Sequence, residues 1–433
     1  IYNTTLQYVE HFYPLWFTYG QSQRSSGTWI GPDRVGPAYH IVVLINVDTL
    51  YASMFADLSE PLIVTIPNPT SYGTNFHFSL LALDAYGDIF DTGITTGGTY
   101  GFTGPSYGGT LPYNVTRVSV PASVGLHPTL IIRADKYDKN NSGVYQPTGA
   151  EAFRSKLHAA PLSVYSSREG QCENGAGAAK IIPQVPVFAL PFKSNADYLA
   201  QGDPSGFLSQ LQDAVSSPRT PPLSASDQQL VTNFNVLFKG LPFIDPRPFM
   251  KAVRDAHKAI VDYIPNHATK KTNYWAWFDN IGGPNWSYLL RSAITEDCQY
   301  CNSHSAAAYF FVFRDSTGKL LDGSKNSYVL TFAKKQIPET QRFWSLTAYT
   351  PGALELIHNA SEKYGVASYT PGLKYGTNGS VSIVMSATKP NGVPTANWLP
   401  IRKGVFMLGL RDYGPLGKVL ANRYVPPAIR VYK

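Results

Sequence analysis

The sequence predicts a multi-domain α+β chain, predominantly β, and three observations lead to that reading. From about residue 36 to 165, short β-branched apolar runs are punctuated by glycine, proline and asparagine. From 226 to 264, helix caps precede apolar residues at helical spacing. After residue 306 the β pattern returns in six runs. The 433 residues exceed the ~250–300 at which one core stops growing, so several units are expected. The pattern divides into an N-terminal extension (1–30), a β-rich domain (31–168), a helical middle region (181–304) and a jelly-roll-like β-sandwich (305–433).

The extension carries Tyr2, Tyr8, Phe12, Tyr13, Trp16 and Phe17 ahead of a polar stretch at 21–27. A buried aromatic is worth about 1.5–3 kcal/mol, so this segment must be covered by its own body or by a neighbour. Its aromatic, β-prone composition leads us to expect a strand exchanged between copies through a flexible hinge. In the first β-rich domain, strands are expected at 41–45, 62–66, 76–83 and 130–133, and a glycine-rich linker at 169–180. Ser226 to Gln229 reads as a capping box leading into Leu230, Val231 and Phe234, and Asp245-Pro246 as a second helix start. Phe249, Val253, Ile260 and Ile264 then share one helix face, while Lys251, Arg254, Asp255 and Lys258 take the other. The last strands are expected at 309–313, 328–332, 343–349, 381–385, 405–410 and 428–432.

Charged residues make up 15% of the chain, against about 25% in ordinary soluble domains, and Gly, Pro and Tyr number 36, 33 and 28. A surface so neutral is easily desolvated and favours association, or else is covered by Ser, Thr, Asn and sugars. The net charge of +7 is spread thinly and forms no cationic stripe, so the sequence gives no nucleic-acid footprint. No apolar run approaches the ~18 residues needed to span a bilayer. The chain opens at Ile1 without a signal peptide, which we read as an exported, processed form.

Six glycosylation sequons fall at Asn3, Asn114, Asn140, Asn285, Asn359 and Asn378, where roughly three would arise by chance; N-linked glycans are expected on several. The three cysteines are Cys172, Cys298 and Cys301. Without further ligands at zinc spacing, one disulfide is expected, either Cys172 with one of the pair or the pair with itself.

Gly104 to Gly108 matches the Gly-x-Ser-x-Gly elbow around Ser106, but the following Gly-Thr-Leu-Pro cannot start the helix that the elbow requires. Asp48, Asp84, Asp88 and Asp91 could supply two facing carboxylates for glycoside chemistry. The plainer expectation is that Asp48 and Asp84 hydrogen-bond turn backbone or pair with Arg133. The nine histidines lack metal-ligand spacing and no phosphate loop occurs, so neither a metal nor a cofactor is expected, and no catalytic residue is assigned.

Several short blocks follow one another in order: Asn46-Val-Asp-Thr-Leu-Tyr51, Asp57-Leu-Ser-Glu-Pro61, Leu83-Asp84-Ala-Tyr86 and Gly104-Pro105, then Phe343-Trp344, Asn397-Trp-Leu-Pro400 and Arg411-Asp-Tyr-Gly-Pro415. Together they resemble the bacterial tandem family of domains of unknown function 1254 and 1214. The resemblance implies an architecture, with no catalytic assignment to carry over. The family pattern has an acidic residue and a tryptophan after Gly-Pro, where this chain has Ser106-Tyr107. With no catalytic constellation evident, the sequence is read as a secreted, glycosylated structural protein that assembles with itself head to tail into an extracellular filament. The alternatives are a carbohydrate-active or other small-molecule enzyme using the acidic set, and a closed sugar-binding oligomer.

Overall fold

The computed structural model describes all residues except 24–26, 33–34, 38–41, 74–75, 139–143, 146, 168–179, 183–191, 268–269 and 284–285. It is an α+β fold of several units. In the first, a five-stranded sheet contains Ile30–Pro32, Thr49–Phe55, Thr129–Asp135 and Phe78–Leu83 as neighbours in that order, with Lys180–Ile182 at its edge. A four-stranded sheet orders His158–Pro161, Leu62–Ile66, Gly98–Thr103 and Thr116–Ser119. Trp29, Met54, Phe102, Leu130 and Phe153 belong to the core cluster of this unit.

The expected run at 41–45 is a correction. Its described residues form turns, and Leu44 takes a left-handed φ of 48° while its N–H bonds the carbonyl of Leu354, itself at φ 55°. β-branched composition was outweighed here by packing, because the apolar side chains of Leu44 and Ile45 are buried between the two β units. The adjacent strand begins only at Thr49.

All six expected C-terminal strands form, five of them within three residues of the expected ends, while the run at 405–410 becomes Met407–Pro415 and extends five residues further. They sit in two sheets, one centred on Ala307–Val312, Met407–Pro415 and Thr340–Tyr349, the other on Val381–Ser386 and Ser327–Phe332. The first sheet also takes up Lys270–Thr272 and Trp275–Trp277, strands that sequence reading had placed in the helical region. Alternation along each strand divides its side chains between two environments. Leu408, Leu410, Trp344 and Leu346 fill the sandwich, while Met407, Tyr413, Phe343 and Tyr349 face the N-terminal unit.

The largest correction concerns residues 1–30. Tyr2–Ser22 is a helix, not an exchanged strand, and it packs on helices Arg247–His267, Pro204–Val215, Tyr288–Cys298 and Ala225–Lys239 of its own chain. Tyr8, Phe12, Tyr13, Trp16 and Phe17 are buried in this helical core, and the Tyr2 hydroxyl donates to Asp255 at 2.5 Å. The helical signal lay in spacing: Thr5, Tyr8, Val9, Phe12, Tyr13, Trp16 and Phe17 recur at alternating intervals of three and one. Tertiary burial overrode the aromatic composition and the interior Pro14. Of the expected hinge, residues 24–26 lie outside the described residues.

The second helix of this layer starts two residues earlier than expected, with Ser224 as the cap accepting from the Asp227 N–H at 3.2 Å. Asp245 accepts from the N–H of Arg247 at the head of the amphipathic helix Arg247–His267. Phe249, Val253, Ile260 and Ile264 are buried there, as their spacing predicts.

Candidate functional site

The family-like blocks converge on the junction between the two β units. Asn46 shapes the approach: its side-chain oxygen accepts from the N–H groups of Asp48 at 2.8 Å and Thr49 at 2.9 Å, an Asx-type turn that launches the next strand. Its amide nitrogen donates to the Tyr51 hydroxyl. The turn leaves Asp48 fully buried, accepting from Ser345 Oγ at 2.7 Å and from the Tyr369 hydroxyl, both in the C-terminal unit. Burial raises the Asp48 pKa, while these two donors pull the other way.

A second link crosses nearby. On strand Thr129–Asp135, alternation sends Leu130, Ile132 and Ala134 into the N-terminal core and turns Ile131, Arg133 and Asp135 to the junction. Asp135 receives a two-pronged guanidinium contact from Arg342, whose Nε lies 3.0 Å away. A third set is backbone-directed: Tyr349 donates to the Ile45 carbonyl at 2.9 Å, and Arg411 to the Leu44 carbonyl.

Between these links lies a cavity of about 40 Å³, walled by Asn46, Tyr51, Arg133, Gln299, Tyr309 and Arg411 together with the apolar turn at 42–45. The Cys298–Cys301 disulfide sits at its margin and holds the loop carrying Gln299 and Tyr300. This realises one of the two expected pairings. Cys172 lies outside the described residues. Arg133 donates to Asn302 Oδ1 at 3.2 Å and to the Tyr300 carbonyl at 2.7 Å, with its guanidinium over the Tyr51 ring.

The acidic set is not brought together. Asp84 accepts from the N–H groups of Tyr86 and Asp88, both at 2.9 Å, as the turn-bonding expectation had it. Burial and the neighbouring Asp88 push its pKa up to about 7. Asp88 instead receives Trp286 Nε1, Asp91 bonds its own turn at Gly93, and Asp48 reaches across to Ser345. Arg133 bonds neither Asp48 nor Asp84, which corrects that part of the expectation. Ser106 lies exposed in a turn with no helix after it.

Asn3, Asn114 and Asn378 are exposed, whereas Asn140 and Asn285 lie outside the described residues. Asn359 is held in its loop, its amide donating to the carbonyls of Ile357 and Lys363.

Sequence reading missed Arg133, Gln299, Tyr309 and Arg411 as a set. The available signal was an arginine at a position where strand alternation demands burial, since buried arginines are rare without a partner. It also missed Asp197, His257 and Glu296, brought by three helices to place one ligand atom each within 4.8 Å of one another. These three are the described residues best placed to hold a metal ion. The Tyr13 hydroxyl donates to Glu296 at 2.6 Å.

Asp412 points the opposite way from Arg411, into the sandwich, where burial pushes its pKa up to about 7. The folded state thus holds its proton after the unfolded chain has released it. Unfolding free energy should therefore fall as pH rises from about 4 to about 7, by roughly 4 kcal/mol, and level off above that. Asp412→Asn should flatten this contribution in urea titrations across that range. An unchanged pH slope in the variant would assign the effect elsewhere.

Two β-rich units clasped by buried cross-links, with a helical layer that includes the N-terminus, define the class of this protein. Its first unit matches the model of a protein of unknown function, DUF1254, over residues 28–161, and its last matches DUF1214 over 306–417. The chain belongs to this tandem family. It is similar over its whole length to a crystal structure of the VPA0106 protein from Vibrio parahaemolyticus, with 20% identity, a TM-score of 0.61 and 99% of that chain covered. An uncharacterized protein from Burkholderia cenocepacia aligns with 12% identity and a TM-score of 0.46, over 98% of this chain and 87% of that one. No curated protein sequence matches the chain.

Proposed function

We propose that the protein is a secreted, glycosylated structural subunit that joins copies of itself head to tail into an extracellular filament. With the N-terminal helix committed to its own core, the contact is a surface-to-surface one. The observation that carries this reading is a pair of large aromatic side chains standing in solvent on separate units. Tyr113 is fully exposed in the neutral loop after Gly98–Thr103, and Phe243 is 89% exposed after helix Ala225–Lys239, next to the exposed Ile244. Two unlike patches suit a heterologous contact, whereas twofold pairing uses one self-complementary patch. Isolated aromatic anchors of this kind dominate protein interfaces once a neighbour covers them. Exposed Asn3, Asn114 and Asn378 and the Cys298–Cys301 disulfide support an exported setting.

Electron microscopy of the purified chain at increasing concentration tests the proposal. Filaments are expected for the unmodified chain, and Phe243→Ser should raise the concentration needed for assembly at least about tenfold, the effect of losing one interface hot spot. A chain that sediments as a monomer at every concentration would refute the proposal.

A further inference from the structure

We infer that the junction cavity is a binding site for a small planar carboxylate, formate or acetate in size. Its polar walls converge as donors. Arg411, 3% exposed, uses Nη2 on the Leu44 carbonyl, and its Nη1 finds no acceptor among the described residues. Gln299, 9% exposed, accepts from Gln21 Nε2 at 2.8 Å through its oxygen, while its own Nε2 has no acceptor among the described residues. Tyr309 accepts from the N–H of Asn302 at 3.0 Å and from its amide nitrogen at 2.8 Å, which leaves the hydroxyl proton to give. Tyr51 accepts from Asn46 and keeps its proton in the same way.

Charge points in the same direction. Both buried arginines hydrogen-bond only neutral acceptors among the described residues. The nearby carboxylate of Asp48 attracts Arg411 but gives its hydrogen-bonding oxygens to Ser345 and Tyr369. A buried guanidinium is costly until an anion meets it, and a planar carboxylate matches its fork. Size narrows the ligand. A water needs about 10–15 Å³ on this scale, so about 40 Å³ holds an anion of three or four heavy atoms but no ring.

Thermal unfolding and calorimetric titration of the full chain with sodium formate, acetate and benzoate, against sodium chloride at equal ionic strength, provide the test. Formate and acetate should raise the melting temperature saturably, and benzoate should not. Gln299→Glu keeps the bond to Gln21 and supplies a tethered carboxylate, so it should fold without added anion and lose the formate response. Arg411→Lys keeps the charge without the fork and should weaken formate binding at least about tenfold. No formate effect beyond that of chloride would mean that water alone fills the cavity and would overturn the assignment. An undiminished response in Gln299→Glu would do the same, and a benzoate response in place of formate's would overturn the size argument. None of these outcomes bears on assembly, so the filament proposal stands or falls separately.

Discussion

Deletion of residues 1–22 should abolish the cooperative fold of the helical layer. The helix inserts Tyr8, Phe12, Tyr13 and Phe17, each almost completely buried, among four other helices. Phe→Ala in such a core costs about 3–5 kcal/mol, a large part of the 5–15 kcal/mol by which a domain is stable. Deleting the whole element exceeds that margin. It would also strip buried polar groups of partners: Tyr13 bonds Glu296, Gln21 bonds Gln299, and the Glu10 carbonyl receives Ser292 Oγ at 2.7 Å. The milder Phe12→Ala variant should remain folded and lose about 3–5 kcal/mol in urea unfolding followed by far-ultraviolet circular dichroism. An unfolding midpoint that is the same with and without residues 1–22 would show that the segment is dispensable to its own chain. It would also reopen the route through strand exchange.

Replacing Arg342 with methionine should cost about 3–5 kcal/mol, because it leaves Asp135 buried without its cation. The loss falls on the junction, since Asp135 belongs to the N-terminal unit and Arg342 to the sandwich. Scanning calorimetry should therefore show one transition in the unmodified chain separating into two. The double variant Arg342→Met with Asp135→Leu removes both charges and should recover most of the stability, as apolar replacements of buried ion pairs often do. A double variant as unstable as the single one would mean that Arg342 acts through its stacking on Phe343 and Tyr413 instead of through its charge.

The β architecture was largely legible because period-two alternation and turn residues are local properties. The runs at 62–66, 328–332 and 381–385 became strands within one residue of the expected ends. The same local logic failed at 41–45, where β-branched residues sit in a turn locked by left-handed Leu44 and Leu354. It failed again at Tyr2–Ser22, where composition spoke for a strand and the three-and-one spacing spoke for a helix. The spacing was the better guide, because burial on four neighbouring helices outweighs intrinsic propensity. The candidate site was legible only in fragments. Asn46, Tyr51 and Arg411 stood in recognisable blocks, but Gln299 and Tyr309 carried no local mark.

By itself the sequence determined the tandem family, the order of β and helical regions, and the six strands of the sandwich, all written in short-range periodicity and turn chemistry. Only the tertiary structure decided that the N-terminal aromatics serve their own chain. It also decided that Asp48 reaches Ser345 and that two arginines face one cavity across the junction. Those outcomes depend on residues up to hundreds of positions apart. Long-range packing and the desolvation of charge select such pairs, and neither leaves a local pattern to read.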